Sequence, residues 1–238
     1  MLLTKLVAKG NPFTINMFNE SVLIPRQKTC AVVGNSGILL NSSCGKGIDF
    51  NDFVIRCNLP DIEKFSHDVG KKTNIIILDK TRVYDIFSYA KKHSETPNLL
   101  NNFIFLNNTV LWSSSSNTSI RYRRLVYSTK YLKEQFDLNF NVTYSSSLRP
   151  CFRLLKIKSM VTAGMHAVCS ALRLCDRVSI YGFYPFPTRP DGSIVPYHYY
   201  DELTLSSKTR HDFNKEHSVL QSLGKDGLLH FVSDKCNT

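Results

Sequence analysis

The sequence predicts an α/β fold, namely a single Rossmann-like domain with a mostly parallel central sheet and helices on both faces. A chain of 238 residues, 42% of them hydrophobic, is long enough to bury one sizeable core. Short apolar runs alternate along it with longer segments of helical periodicity, which is typical of a parallel sheet covered by helices. No internal repeat and no Pro-rich or Gly-rich linker divides the chain.

The individual elements follow from apolar runs, periodicity and turn residues. The predicted strands are Ala31–Val33, Phe53–Arg56, Asn74–Leu78, Phe103–Leu106, Val178–Tyr181 and Leu228–Val232. The predicted helices are approximately Val83–Lys92, Ile120–Phe136, Gly164–Leu174 and Phe213–Leu223. Tyr184–Tyr200 contains four prolines and predicts an irregular loop, longer than packing alone requires and therefore a candidate active-site loop.

The segment from Cys30 to Asn58 carries the most informative local pattern. Its first strand ends in the loop Gly34–Gly37, whose backbone N–H groups and small polar side chains can meet a phosphate. Its second strand ends in Arg56–Asn58, at the edge where open α/β sheets bind ligands. On spacing alone an ordinary tight turn is the simpler interpretation, because the full dinucleotide and Walker patterns are both absent.

Three further motifs each allow a functional and a structural interpretation. Thr162-Ala163-Gly164 opens a helix, where a hydroxyl and N–H groups suit an anion or a ribose, or simply cap the helix. Tyr197–Asp201 places a histidine among tyrosines, which can hold a phosphate or merely pack the loop. His211 lies five residues before Glu216, and a lone histidine near a helix start is usually an exposed or capping residue.

The formal net charge of +11 favours anionic partners such as nucleic acid, an anionic membrane or acidic small molecules. The densest basic stretch, Arg121–Lys133, mixes arginine and tyrosine, which suits RNA. More often such a run is the solvated face of a helix, and the apolar stripe Leu125, Tyr127, Tyr131 and Leu132 is compatible with that. Because no known nucleic-acid module is evident, the helix interpretation is preferred.

Taken together, the four motifs resemble those of one family. CAVVGNSGIL from Cys30, Cys44-Gly45-Lys46, DFVIRCNLP and Asp68–Thr73 resemble the large sialyl motif of animal sialyltransferases. Cys44 and Cys57, with GNSG, point to the α2,8-sialyltransferase branch. The stretch Thr162–Phe186 resembles the small sialyl motif, and the two histidine motifs resemble the third and very small motifs, all in family order. The resemblance covers nearly the whole chain.

The resemblance implies the sialyltransferase variant of the glycosyltransferase A fold, with residues 1–29 as a stem-like or flanking segment and residues 30–238 as the catalytic domain. It implies inverting, metal-independent transfer of sialic acid from CMP-sialic acid to a sialylated glycoprotein or glycolipid, in α2,8 linkage. No cofactor and no nucleic acid is expected. The alternative is a catalytically impaired relative that binds CMP or sialoglycans.

The resemblance also assigns roles to residues. His211 would be the catalytic base, with Glu216 in a supporting role. The donor-binding residues would be Asn35, Asn58, Thr162, Ala163, Gly164, Tyr184, Tyr197 and His198. The family usually has Ser-Thr-Gly at 162–164 and tryptophan at Tyr184, so both departures bear on donor affinity.

The seven cysteines show no metal-ligand spacing. By the family's pattern Cys30 pairs with Cys175 and Cys44 with Cys236, and the simplest assignment leaves Cys57, Cys151 and Cys169 as free buried thiols. The N-x-S/T sequons, together with the cysteines, indicate the secretory pathway; they start at Asn19, Asn41, Asn107, Asn117 and Asn141.

The resemblance implies the Golgi lumen as the location. Members of the family are normally single-pass proteins with an N-terminal membrane anchor, and this chain shows no transmembrane segment. We therefore expect a fragment of a longer protein, which would meet the membrane only through that anchor.

Overall fold

The structure is a computed structural model that describes residues 13–17, 21–92, 103–113, 119–144, 149–157, 160–204, 210–233 and 235–236. Its strands are β1 Phe13–Met17, β2 Ser21–Ile24, β3 Gln27–Val33, β4 Phe53–Cys57, β5 Ile75–Leu78, β6 Val110–Ser113, β7 Asn141–Tyr144, β8 Cys175–Tyr181 and β9 His230–Val232. They form one sheet in the order β2-β1-β7-β6-β5-β4-β3-β8-β9. The strands from β7 to β9 in this order are all parallel, whereas β1 pairs antiparallel with both of its neighbours, β2 and β7.

Helices cover both faces of the sheet. Within the described ranges they are α1 Gly45–Asp49, α2 Ser66–Val69, α3 Lys80–Lys92, α4 Ile120–Phe136, α5 Arg149–Leu154, α6 Ala163–Leu174 and α7 Phe213–Lys225. In β5, Ile75 and Ile77 join the apolar core under α5, α6 and α7, whereas Ile76 and Leu78 join the core under α3 and α4. A strand buried on both sides needs an unbroken apolar run, which explains why β5 reads Ile-Ile-Ile-Leu.

The predicted fold class is confirmed, and the predicted helix Ile120–Phe136 agrees with α4 at both ends. The predicted strand Phe103–Leu106 is wrong. Ile104–Leu106 forms a 3₁₀ turn, and the strand of this region is β6, which starts at Val110. Phe103 and Leu106 are both buried beside α3 and α4, and a short buried apolar run does not by itself distinguish a turn from a strand.

Part of the segment predicted to flank the domain lies in the sheet. Strands β1 and β2 pair antiparallel with each other, β1 also pairs with β7, and β3 begins at Gln27. The sheet therefore begins before Cys30.

The sequons at Asn19 and Asn117 lie outside the described residues. Among the helices that the structure describes, none is long and apolar enough to cross a bilayer.

The structure contains both predicted disulfides, Cys30–Cys175 and Cys44–Cys236, with Cα atoms 6.0 and 4.9 Å apart. The first joins β3 to the start of β8, and the second fastens the C-terminal residues beside α1. Cys57 is a free buried thiol, as predicted.

The prediction of free thiols at Cys151 and Cys169 is wrong, because these residues form a third disulfide. Cys151 lies in the short helix α5, which the periodicity did not indicate, and Cys169 lies in α6. The two helices share one apolar core, which brings the two Cα atoms to 6.2 Å, within bonding range.

Candidate active site

A cleft of about 1120 Å³ opens at the carboxyl ends of the parallel strands. The loops after β3, β4, β5 and β8 line it, together with the first turns of α4, α6 and α7. Every residue predicted for donor binding or catalysis lines this one cleft, namely Asn35, Asn58, Thr162, Ala163, Gly164, Tyr184, Tyr197, His198, His211 and Glu216. Their individual roles stay predictions, but the structure brings all of them together.

The loop after β3 is fastened to the end of β8. The N–H of Gly34 donates to the Tyr181 carbonyl over 2.7 Å, and the Ser36 hydroxyl donates to the Tyr184 carbonyl, also over 2.7 Å. A Cβ added at Gly34 would lie 2.4 Å from the Gly182 oxygen. Only glycine allows this approach, so the backbone of the large motif lies directly against that of the small motif.

Two asparagine amides are oriented by neighbouring strand ends. The Asn35 Nδ2 donates to the Cys57 carbonyl and to the Tyr200 hydroxyl, each over 3.2 Å, and its Oδ1 is buried without a hydrogen-bond partner among the described residues. Asn58 has a φ of 61°, a left-handed conformation that asparagine tolerates. Its Nδ2 donates to Asp79 over 3.3 Å, and its Oδ1 accepts the Asp79 backbone N–H over 3.0 Å.

Thr162 and Glu216 join the starts of α6 and α7. Thr162 caps α6, with its Oγ1 accepting the Met165 N–H over 3.1 Å. Glu216 accepts the backbone N–H of Thr162 over 2.9 Å and also its hydroxyl proton. Glu216 is buried, and this burial raises the pKa of its carboxyl above the usual range although the two hydrogen bonds oppose the shift.

Ala163 and Gly164 follow this cap along the floor of the cleft. A Cβ at Gly164 would lie 2.9 Å from the Phe183 ring. This ring, which follows β8, therefore packs closely against the first turn of α6.

His211 stands just before α7, which Asp212 caps by accepting the Lys215 N–H over 2.9 Å. The His211 Nδ1 lies 2.7 Å from the Met160 carbonyl oxygen. Because a carbonyl can only accept, Nδ1 carries a proton, and in the neutral ring the lone pair is on Nε2. The imidazole is thus held in one tautomer by the segment that leads into α6.

His198 lies between two aromatic rings and beside a carboxylate. It stacks on Tyr197 at 4.3 Å and on Tyr200 at 5.0 Å, and its Nδ1 lies 2.9 and 3.1 Å from the two oxygens of Asp201. Burial, and then the charges of Asp79 and Asp201, raise the pKa of Tyr197, so its phenol stays a hydrogen-bond donor. The Tyr197 hydroxyl can therefore donate to an anion, and Asp201 holds the ring of His198 beside it.

Tyr184 is fastened to its own loop. Its hydroxyl donates to the Thr188 carbonyl over 2.7 Å, and its ring contacts those of Phe186 and His217 edge-on.

His217 also lines the cleft and was not predicted, although its position next to Glu216 in the sequence could have indicated it. Its Nδ1 lies 3.1 Å from the Phe183 carbonyl oxygen, and burial lowers its pKa.

Several basic residues of the cleft were also missed by sequence reasoning, namely Lys80, Arg121, His166 and Arg210. Arg121 belongs to the stretch that was interpreted as a solvated helix face. In α4, Leu125 and Leu132 are indeed buried, but Tyr127 is 56% exposed and Arg121 faces the cleft.

No group of three or more His, Cys, Asp or Glu residues able to hold a metal occurs in the described part of the chain.

Comparison with known sequences decides the family. The profile described as glycosyltransferase family 29 (sialyltransferase) matches residues 5–228. The chain belongs to this sialyltransferase family. It is 32% identical over 217 residues to rat alpha-2,8-sialyltransferase 8E, covering 88% of this chain and 57% of the relative. It is 34% identical over 222 residues to the Xenopus laevis alpha-N-acetylneuraminide alpha-2,8-sialyltransferase, covering 88% and 59%. The chain thus spans little more than half the length of these relatives.

Solved structures of sialyltransferases share the fold. A crystal structure of a mammalian sialyltransferase superposes with a TM-score of 0.58 at 21% identity, covering 98% of this chain and 77% of the other. A mammalian sialyltransferase in complex with Gal-beta-1-3GalNAc-ortho-nitrophenol gives a TM-score of 0.58 at 18% identity, covering 98% and 84%. The predicted sialyltransferase variant of the α/β fold is confirmed.

Proposed function

We propose that this sialyltransferase-family chain transfers sialic acid from CMP-sialic acid to a sialylated glycan, with inversion, in α2,8 linkage and without a metal. The relatives named alpha-2,8-sialyltransferases, at 32% and 34% identity, support the linkage. The observation that carries the proposal is the position of His211, held by the Met160 carbonyl at the cleft that Asn35, Asn58 and His198 also line.

In this reaction His211 acts as the base. Its Nε2 accepts the proton of the acceptor hydroxyl while that oxygen forms a bond to the anomeric carbon of the donor sugar. The bond from the anomeric carbon to the phosphate oxygen breaks on the opposite face, so CMP leaves with both electrons and the configuration inverts. The hydrogen bond from Nδ1 to Met160 keeps the ring oriented as it gains charge.

The negative charge that grows on the leaving phosphate needs donors fixed in advance. Tyr197 and His198 would donate from one side and the amide of Asn58 from the other. Asn35, whose Nδ2 already bonds Cys57 and Tyr200, would instead offer its unpartnered Oδ1 to a hydroxyl of the donor. The Asp201 carboxylate accepts from Nδ1 of His198 and so fixes the orientation of its ring. The positive end of α6 adds a further favourable field, and such a set can replace a metal.

The nucleotide would bind where the large and small motifs meet. Thr162, Ala163 and Gly164 at the start of α6 would face the ribose or phosphate, with Tyr184 near the base. Glu216 would act indirectly, by holding Thr162 in place.

The compartment and partners follow from the same proposal. The three disulfides suit an oxidising lumen, so we place the enzyme in the Golgi lumen, with any membrane attachment through an N-terminal anchor. The donor and the sialylated glycoprotein or glycolipid acceptor are both anionic, which agrees with the net charge of +11.

A second candidate is a protein that binds CMP or sialoglycans without turnover. Ala163 offers no hydroxyl to the donor, and the Tyr184 hydroxyl is engaged by Thr188 rather than presented to a ligand. This candidate predicts CMP binding without product.

The test incubates the protein with CMP-sialic acid and a panel of sialylated and asialo acceptors, with and without EDTA, and analyses the products by mass spectrometry and linkage-specific sialidase. The expected product carries one or more added sialic acids in α2,8 linkage, at the same rate in EDTA. A strict metal requirement, or transfer only to asialo acceptors, would contradict the proposal. CMP binding without any product would favour the second candidate.

A further inference from the structure

The helices α3 and α4 carry most of the net positive charge of the chain. α3 contains four lysine or arginine residues and one acidic residue, and α4 contains five and one. The net charge of the whole chain is +11. The two helices pack against each other over the core that Ile76 and Leu78 of β5 join. The excess positive charge is therefore concentrated on one side of the molecule.

Aromatic rings and cations alternate where the two helices meet. The Arg124 guanidinium of α4 lies 5.6 Å from the ring centre of Tyr84 and 5.3 Å from that of Phe87, both in α3. The Phe87 ring contacts that of Tyr127 edge-on at 5.5 Å, and the Lys91 ammonium lies 5.9 Å from its centre. Because these side chains contact one another across the two helices, they form one continuous surface.

This surface also exposes apolar area. Tyr84 and Tyr127 are 50% and 56% exposed, and Ile120, at the start of α4, is 58% exposed. Large apolar side chains that lie together on a protein surface indicate a site of interaction. We call this surface the α3–α4 face; it consists of Tyr84, Phe87, Lys91, Ile120, Arg123, Arg124 and Tyr127.

The cations of the α3–α4 face are not neutralised by carboxylates. Among the described residues, no carboxylate lies within ion-pair distance of Lys91, Arg123 or Arg124. The acidic residue of each helix instead lies beside another cation of its own helix. The face therefore combines uncompensated positive charge with exposed aromatic and aliphatic side chains.

This combination fits a lipid bilayer with anionic headgroups. Lysine and arginine can lay their apolar stems along a bilayer surface while their charges reach the headgroups, and tyrosine rings favour the same interfacial depth. Each cation near an anionic membrane adds to the attraction. A second copy of this chain would instead present the same positive charge. Nucleic acid does not fit the oxidising lumen that the three disulfides suit.

The α3–α4 face adjoins the cleft. Lys80 and Thr81 begin α3, Ser119 caps α4, and Arg121 lies in its first turn. All four residues line the cleft. A bilayer that lies against the two helices would therefore be next to the opening of the cleft.

We propose that the α3–α4 face docks on a membrane surface with anionic lipid headgroups, in addition to any N-terminal anchor. The docking itself does not depend on the reaction at His211. Its consequence for the acceptor rests on the proposed function: a docked enzyme would meet a sialylated glycolipid at the cleft while the lipid stays in the bilayer.

The test measures binding to vesicles of phosphatidylcholine alone and of phosphatidylcholine mixed with phosphatidylserine, by co-sedimentation at low and high salt. The charge variant is Lys91→Gln with Arg123→Gln. Its matched control is Arg177→Gln with Lys225→Gln, which removes two exposed charges in β8 and at the end of α7. The ring variant is Tyr127→Ser, matched by Phe50→Ser at a side chain that is 91% exposed after α1.

We expect the wild-type protein to bind the mixed vesicles at least about tenfold more tightly than phosphatidylcholine vesicles, and to lose this preference at high salt. The charge variant should bind the mixed vesicles at least about tenfold more weakly, since two cations leave the surface. Tyr127→Ser should weaken binding by about threefold at either salt concentration, because the ring adds apolar area. Both controls should bind as the wild-type protein does.

Three outcomes would overturn the docking. The first is a wild-type protein that does not bind the mixed vesicles at low salt. The second is equal weakening in the charge variant and its control, which would assign the attraction to the net charge of the whole chain. The third is tighter binding to heparin or RNA than to vesicles, lost in the same charge variant, which would assign the face to a soluble polyanion.

Transfer assays separate the docking from the proposed function. With soluble sialyllactose the charge variant should turn over as the wild-type protein does, whereas with a sialylated glycolipid in the mixed vesicles it should be slower in proportion to its lost vesicle binding. Equal glycolipid transfer by both proteins would overturn the consequence for the acceptor. Vesicle binding as expected, without transfer to either acceptor, would count against the proposed function and leave the docking intact.

Discussion

Glu216 accepts hydrogen bonds from both the backbone N–H and the hydroxyl of Thr162, and so joins the start of α7 to the start of α6. His211 makes a parallel link, because its Nδ1 bonds the carbonyl of Met160, two residues before Thr162. The histidine motif and the small motif are therefore held together at two points. This arrangement gives Glu216 a defined part in positioning the site without requiring it to touch substrate.

The Thr162–Glu216 link should be measurable as coupled stability. Thr162→Val removes a helix cap and one charge-assisted hydrogen bond, and we expect a loss of about 2 kcal/mol in the free energy of unfolding. In a double-mutant cycle with Glu216→Gln, denaturant unfolding should give a coupling of about 1 kcal/mol. Thr129→Val is the control, since its hydroxyl bonds only a carbonyl of its own helix. Strictly additive losses would show that the two residues do not interact.

The disulfide assignment predicts a thiol count. The chain has seven cysteines and six are bonded, so denatured, unreduced protein should expose one reactive thiol, that of Cys57. Folded protein should expose none, because burial raises the pKa of Cys57 to about 12. Three thiols in denaturant would contradict the Cys151–Cys169 bond.

The energetic consequence of that bond is testable separately. The double variant Cys151→Ala with Cys169→Ala releases a short loop, with the two positions 18 residues apart. The chain-entropy estimate is a loss of about 3 kcal/mol, which urea unfolding would detect. Unfolding in the presence of reductant should erase the difference between variant and wild type.

His166 should make stability fall in mild acid. Its pKa in the fold is about 4, whereas in the unfolded chain it takes up a proton near 6.5. Between these values the unfolded chain binds more protons, so stability is present above pH 6.5 and declines by up to about 3 kcal/mol as the pH falls to 4. Glu216 acts with the opposite sign, because its raised pKa favours the fold at low pH.

The contribution of His166 is isolated by His166→Gln, which should flatten the decline in unfolding free energy between pH 6.5 and 4. His67→Gln, at a side chain that is 74% exposed, is the control and should retain the wild-type profile. An unchanged slope in His166→Gln would contradict the burial argument.

Donor affinity should respond to the first turn of α6. Ala163→Ser adds a hydroxyl at the cleft, and we expect a fall of about threefold to tenfold in the dissociation constant for CMP, as for one net hydrogen bond. Gly164→Ala should act in the opposite direction, because the added Cβ would meet the Phe183 ring at 2.9 Å. Equal CMP affinities in titrations of all three proteins would remove this turn from the donor site.

The parallel sheet could be predicted because its strands are short apolar runs between helical segments, as in β5. Strand β7 was missed because it reads Asn-Val-Thr-Tyr, without an apolar run. Strands β1 and β2 were missed because residues 1–29 were expected to flank the domain, although β2 reads Ser-Val-Leu-Ile. The residues that line the cleft were predicted from the family resemblance, because it assigns a role to each motif. Arg121 and His166 were missed because the cleft that both line forms only when α4 and α6 pack on the sheet, which no local pattern reveals.

The central claim is that His211 removes the acceptor proton, and His211→Ala tests it most directly. Transfer from CMP-sialic acid to a sialylated acceptor and calorimetric CMP affinity are measured on the same preparations, with His67→Ala as the control. The account predicts transfer reduced at least a thousandfold in His211→Ala, with CMP affinity within about threefold of wild type. Near-normal transfer in His211→Ala would contradict it.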